Sequence, residues 1–164
     1  MTSLEDAVTA LRSGRSPAEM LETFAQLAAG SRRADHHHWH GVVLRDVGRT
    51  DEAIAAFRRA ASIDPRQPGT QYYLATTLMD RAVLDEALAA YRETVRLLAP
   101  APSQRPFLAS VHGELGFALM MHGEQEAAIQ AFRQGLSMRP DPAAHAQLVY
   151  YLQYLPSADA AALL

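Results

Sequence analysis

A pattern of small, apolar and aromatic residues returns three times along this chain, and a period of that kind restricts the fold more than any other feature of the sequence. The first copy runs from His40-Gly41-Val42-Val43-Leu44 through Gly48 to Ala53-Ile54-Ala55-Ala56-Phe57. The second runs from Leu74-Ala75 through Leu78 and Ala82 to Ala87-Leu88-Ala89-Ala90-Tyr91. The third runs from Leu115-Gly116 through Leu119 and Gly123 to Ala128-Ile129-Gln130-Ala131-Phe132. Phe57 and Tyr91 stand 34 residues apart.

Each copy reads as a pair of helices. Ala and Leu are abundant and the β-branched residues that build sheets are sparse, which shifts the balance toward helix. Two helices close on each other where small residues meet, and large residues fill the gap to the next pair. Gly41, Ala75 and Gly116 are the expected small residues of the first helices, faced by Ala53, Ala87 and Ala128 from the second, with Phe57, Tyr91 and Phe132 as fillers. Gly48 and Gly123 stand where a first helix should stop, since glycine tolerates the left-handed conformation that closes a helix end. Thr50 with Asp51 and Glu52, and Asp85 with Glu86, bring capping oxygens and negative charge to the next helix start. Pro65, Pro100 and Pro140 then mark the ends of the second helices.

This combination resembles the tetratricopeptide-repeat (TPR) family, whose 34-residue signature has a small residue at its eighth place, Ala at the twentieth, an aromatic at the twenty-fourth and Pro at the thirty-second. The resemblance implies an all-α fold, a right-handed superhelix of antiparallel helix pairs (an α-solenoid), with repeats over 34–67, 68–101 and 109–142. The fourth place departs from the family pattern, holding His37, Gln71 and His112, and Thr94 replaces a small residue in the second repeat. Residues 1–33 are expected to form a degenerate helix pair, because Leu4 to Leu11 is apolar at helical spacing and Ser16-Pro17-Ala18-Glu19 has the form of a capping box. Residues 102–108 read as a loop insertion rich in Pro and polar residues. Residues 143–164 read as a capping helix and tail, with Leu148, Tyr151, Leu152 and Leu155 on one face.

Composition narrows the function. The net charge is -3 and the basic residues are all Arg, spread along the chain rather than gathered in a stripe, which argues against a nucleic-acid partner. With no Cys, thiolate metal sites and Cys nucleophiles are excluded, and a reducing, cytoplasmic setting is expected. No apolar run approaches the length of a membrane span, and Glu5 and Asp6 near the start do not fit a signal peptide.

The resemblance to TPR proteins implies a concave wall built by the first helices. On that basis the groove presents Asp35, His38, Val42, Arg45 and Asp46, then Tyr72, Thr76, Met79 and Asp80, then Ser110, Phe117, Met120 and Met121, with Trp39 and Tyr73 at its edge. Aromatic and Met side chains offer large, adaptable contact areas, so the expected ligand is a protein or peptide segment held by apolar contacts, with charge at Arg45. The carboxylate clamp of chaperone-binding TPRs requires Lys, and this chain has none. The Asn ladder of the O-GlcNAc transferase arm is missing too, its places being taken by Trp39, Tyr73 and Glu114. Residues 144–156 nonetheless resemble the junction between TPR array and catalytic half in bacterial relatives of O-GlcNAc transferase, which implies a substrate-recruiting arm as an alternative. Self-assembly through terminal helices is a further alternative.

Chemistry finds little to work with. His36 and His40, four residues apart, share a helix face and could hold Zn or Ni, yet two imidazoles do not complete a tetrahedral site. His112 and His122 have no nucleophile or orienting acid at a fixed spacing; His112 suits packing and His122 an exposed helix end. No catalytic residue, metal site or cofactor is therefore expected, and the function expected of the chain is protein binding.

Overall fold

The computed structural model describes residues 3–139 and Tyr150; the capping helix and tail expected over 143–164, and Pro140, lie outside the described residues. Among the described residues the secondary structure is entirely helical: α1 Leu4–Arg12, α2 Pro17–Ala28, α3 Ala34–Asp46, α4 Thr50–Ile63, α5 Pro68–Asp80, α6 Leu84–Leu98, α7 Arg105–His122 and α8 Gln125–Met138, with one 3-10 turn at Pro102–Gln104. None of these helices is long and apolar enough to cross a membrane. The chain divides into two compact units, residues 1–90 and 91–164, the boundary falling inside α6.

In the first unit, α1 is opened by a reciprocal cap in which the Ser3 hydroxyl accepts from the Asp6 amide and the Asp6 carboxylate accepts from the Ser3 amide. Ser16 caps α2 by accepting from the Glu19 amide at 3.3 Å, with Pro17 in the first turn as the sequence leads one to expect. Ala7, Met20 and Phe24 then form a core with Val43 of α3, and Leu4, Leu11, Leu21, Leu27 and Trp39 pack around it. This apolar seam is what ties the first helix pair to the repeat that follows.

The first helices α3 and α5 end alike, and so does α7 in the second unit. Gly48 donates to Arg45 O and Arg49 to Leu44 O; Ala82 donates to Met79 O and Val83 to Leu78 O; Gly123 donates to Met120 O and Glu124 to Leu119 O. Each closure needs a residue in the left-handed region, with φ of 81° at Gly48, 91° at Gly123 and 55° at Ala82. A Cβ is unfavourable there. Replacing Ala82 by Gly is therefore expected to stabilise the chain by about 1 kcal/mol, read as a higher midpoint in urea unfolding, and a lower midpoint would contradict the strain.

Two local expectations need correction. Thr50 does not cap α4: it is already the first helical residue, the preceding Arg49 has no side-chain cap, and Arg49 instead grips Glu52 with Nε at 2.6 Å from Oε1. Gly41 and Gly116 meet the aromatic fillers of their own hairpins: a Cβ at either position would lie 2.7–3.0 Å from the ring of Phe57 or Phe132, both fully buried. Residues 102–108 are not a loop, because Pro102–Gln104 form a 3-10 turn and α7 begins at Arg105. Proline suits a first helical turn, whose N–H groups have no intrahelical acceptor, so Pro106 sits in the opening turn of α7.

In the second unit α7 and α8 form an antiparallel hairpin packed through Leu108, Val111, Leu115, Ala118 and Leu119 on one side and Ala128, Ile129, Ala131 and Phe132 on the other. The helices approach each other closely at Gly135, where an added Cβ would stand 2.9 Å from the carbonyl oxygen of Ala109. Ion pairs of similar register join successive second helices within each unit: Arg58 to Glu86, Nε to Oε1 at 2.8 Å, and Arg92 to Glu124 at 3.3 Å.

Candidate peptide-binding surfaces

On α3 and α5 the expected wall residues form a chain of aromatic contacts rather than an open groove. The ring of His38 meets Trp39 edge-on at 5.7 Å, Tyr73 edge-on at 5.4 Å and Phe57 at 5.8 Å. Phe57 stacks on Tyr73 at 5.7 Å, and Tyr73 meets Tyr72 edge-on at 5.8 Å. Trp39 stacks on Phe24 at 6.5 Å beneath the guanidinium of Arg12, so it belongs to the seam between α2 and α3. Arg45 lies over the Tyr73 ring at 4.7 Å and reaches Asp46 at 3.4 Å, so its charge already has partners within the chain.

His38 is held by a polar relay. The Thr70 hydroxyl donates to Gln67 Oε1 at 2.8 Å, and its one proton being so used, it accepts from His38 Nδ1–H at 3.0 Å. Burial pushes the imidazole pKa down to about 4, with Asp35 opposing weakly from the next turn. His38 is thus a neutral packing group of the wall. Val42, expected in the groove, is buried at 7% exposure and offers nothing to a ligand; the turn of α3 that carries it, Gly41 to Leu44, is buried throughout. Thr76, Tyr72 and Met79 are half-buried, with the Thr76 hydroxyl donating to Tyr73 O at 3.1 Å. Asp35 is paired with Arg33 at 2.6 Å, and Asp80 is exposed.

The histidine run has a role that sequence reasoning missed. His36 Nδ1 bonds to Leu27 O at 2.7 Å and His37 Nε2 to Ser31 O at 2.9 Å, so two imidazoles satisfy carbonyls at the end of α2 and in the turn after it. Among the described residues no group of three or more His, Asp or Glu could hold a metal ion. The fourth-place residue of the third repeat behaves differently: His112 is 4% exposed, its Nδ1 has no hydrogen-bond partner, and burial lowers its pKa. His122 is exposed and pairs with Glu124 at 3.0 Å.

Besides exposed Val83 and Tyr150, an open pair of large apolar side chains lies on α7. Phe117 is 40% exposed and Met121 50%, one turn apart on the same face, while Met120 is half-buried and Ser110, further up that face, is exposed.

Residues 36–67 match the family model of the tetratricopeptide repeat. That segment is similar to a TPR, and the fold around it is that of TPR solenoids. Solved structures share its fold: MamA from Desulfovibrio magneticus RS-1, at 21% identity and a TM-score of 0.78 over 96% of this chain and 86% of that one, is one such relative. YrrB, described as a TPR protein with an unusual peptide-binding site, is 19% identical with a TM-score of 0.71, covering 87% of this chain and 71% of that one. The first TPR of Spaghetti (RPAP3), solved with an HSP90 peptide, is 19% identical with a TM-score of 0.66, covering 75% and 93%. Among proteins of curated function none matches the sequence.

Proposed function

We propose that this chain is a protein-interaction module of the TPR type that binds a peptide or protein segment on the exposed face of α7. The observation that carries this reading is the exposure of Phe117 and Met121 side by side on α7, where a helix that met only water would present polar residues. An aromatic ring beside a flexible thioether gives a large and adaptable anchor. Two fold relatives with peptides or peptide-binding sites in their descriptions lend analogy. The α3–α5 wall is secondary here, because Tyr72, Tyr73 and Met79 are partly buried in the chain itself.

The test uses peptides selected on the full chain from a random-peptide display library. In the double variant Phe117→Ala with Met121→Ala, helicity by circular dichroism should be unchanged, since both side chains are exposed, and affinity should fall at least about tenfold. Undiminished affinity in the folded variant would remove α7 from the binding surface. Truncating Tyr72 and Met79 is a poorer probe, because there lost contact and lost packing would be mixed.

A further inference from the structure

We infer that the segment docking on α7 carries a cationic side chain, Arg or Lys, about one helical turn from its apolar anchors, and that Glu114 receives that cation. The inference rests on the reading of α7 as a binding surface and adds the chemistry of the partner.

Ser110, Glu114, Phe117 and Met121 are spaced by four, three and four residues, which puts them in one row along an α-helix, and all four are exposed. Glu114 therefore borders the apolar pair directly. In the same unit Glu93 is paired with Arg96 at 2.6 Å and Glu124 with Arg92 at 3.3 Å, whereas Glu114 forms no ion pair among the described residues. Its side chain keeps contact with water, yet the protein atoms gathered around it raise its pKa by desolvation. The carboxylate already stands in a setting that disfavours charge, with no cation to offset it.

Docking on Phe117 and Met121 would take away more of the water that Glu114 still has. A neutral partner would leave an ionised carboxylate uncompensated, an acidic one would add repulsion, and a cationic one would turn the same desolvation into attraction. Residues 140–164 are a poor source of that cation: they contain Asp141 and Asp159, no Lys or Arg, and His145 as their one basic side chain. Charge complementarity thus favours a separate basic-apolar segment as occupant.

The experiment pans a random-peptide library on the full chain and on Glu114→Gln, then measures the selected peptides and analogues in which the cationic residue is norleucine. On the wild-type chain, Arg or Lys should be enriched three or four residues from large apolar side chains. Glu114→Gln should erase that enrichment and weaken a selected peptide about tenfold. The norleucine analogue should bind both chains alike. Equal cation enrichment on both chains, or none on either among peptides that depend on Phe117 and Met121, would overturn the inference and leave the binding surface standing. Peptides indifferent to Phe117→Ala with Met121→Ala would instead remove the surface. Concentration-dependent dimerisation lost in that double variant would make the occupant a second copy and overturn the proposal of a separate partner.

Discussion

Phe57→Ala will lower the stability of the chain by about 3–5 kcal/mol in urea unfolding, the loss expected when a fully buried phenyl ring is truncated and its site cannot collapse. The ring stacks on Tyr73, touches His38 and fills the space that a Cβ at Gly41 would need, so its removal loosens the α3–α5 wall as well as the hairpin. The partner glycine makes the prediction sharper. Gly41→Ala alone should cost about 1–3 kcal/mol, because the methyl meets Phe57 Cε1 at 2.7 Å and the ring has nowhere to move. With Phe57→Leu already in place the collision largely disappears, and the higher helix propensity of Ala, about 1 kcal/mol, should make the same glycine substitution neutral or stabilising. The cycle should therefore show a coupling of at least about 1 kcal/mol. Additive effects would mean that something other than the ring requires glycine at this place.

Acid will destabilise the first unit by forcing a proton onto a buried imidazole. The folded chain holds His38 neutral with a pKa of about 4, while the unfolded chain protonates it near 6.5. Stability is therefore complete above pH 6.5, falls as pH drops through the interval between the two values, and levels off below about 4. At about 1.4 kcal/mol per pH unit the loss reaches about 2 kcal/mol at pH 5 and about 3 kcal/mol at pH 4. His40, also lowered chiefly by burial, adds to the slope in the same direction, and buried His112 acts likewise on the second unit. Asp35, Glu52 and Glu86 have pKa values held below the usual carboxylate range by hydrogen bonds from Arg33, Arg49 and Arg58, so their contribution is lost only at lower pH. Urea unfolding at pH 7 and pH 5, followed by circular dichroism, should show His38→Gln losing less stability than the wild type over that step. An identical loss in both would put the acid sensitivity elsewhere.

The sequence made the repeat legible because backbone geometry and residue type are tightly linked where helices end and cross. Gly48 and Gly123 could be read as helix stops since few residues tolerate their conformation, and the buried aromatics Phe57 and Phe132 since little else fills such a volume. Side-chain direction was harder to read. The places that face the groove in TPR proteins include Val42, which this chain buries, and His38, whose ring turns inward to Thr70. Whether a residue at the margin of a helix face meets solvent depends on the exact tilt of its neighbours, which no pattern along one strand of sequence records. The carbonyls bound by His36 and His37 belong to residues nine and six positions away, beyond the reach of local motif reading. Met121 and Phe117 were placed on the binding wall by analogy, and their exposure is the part of that placement that geometry supports.

The position of Trp39 makes the chain an optical instrument for part of itself. It is the single tryptophan, and its indole stands edge-on to His38 and in stacking contact with Phe24. An imidazolium quenches indole emission far more strongly than a neutral imidazole does. Protonation of His38, or separation of α2 from α3, will consequently be visible as a change in intrinsic fluorescence without any label.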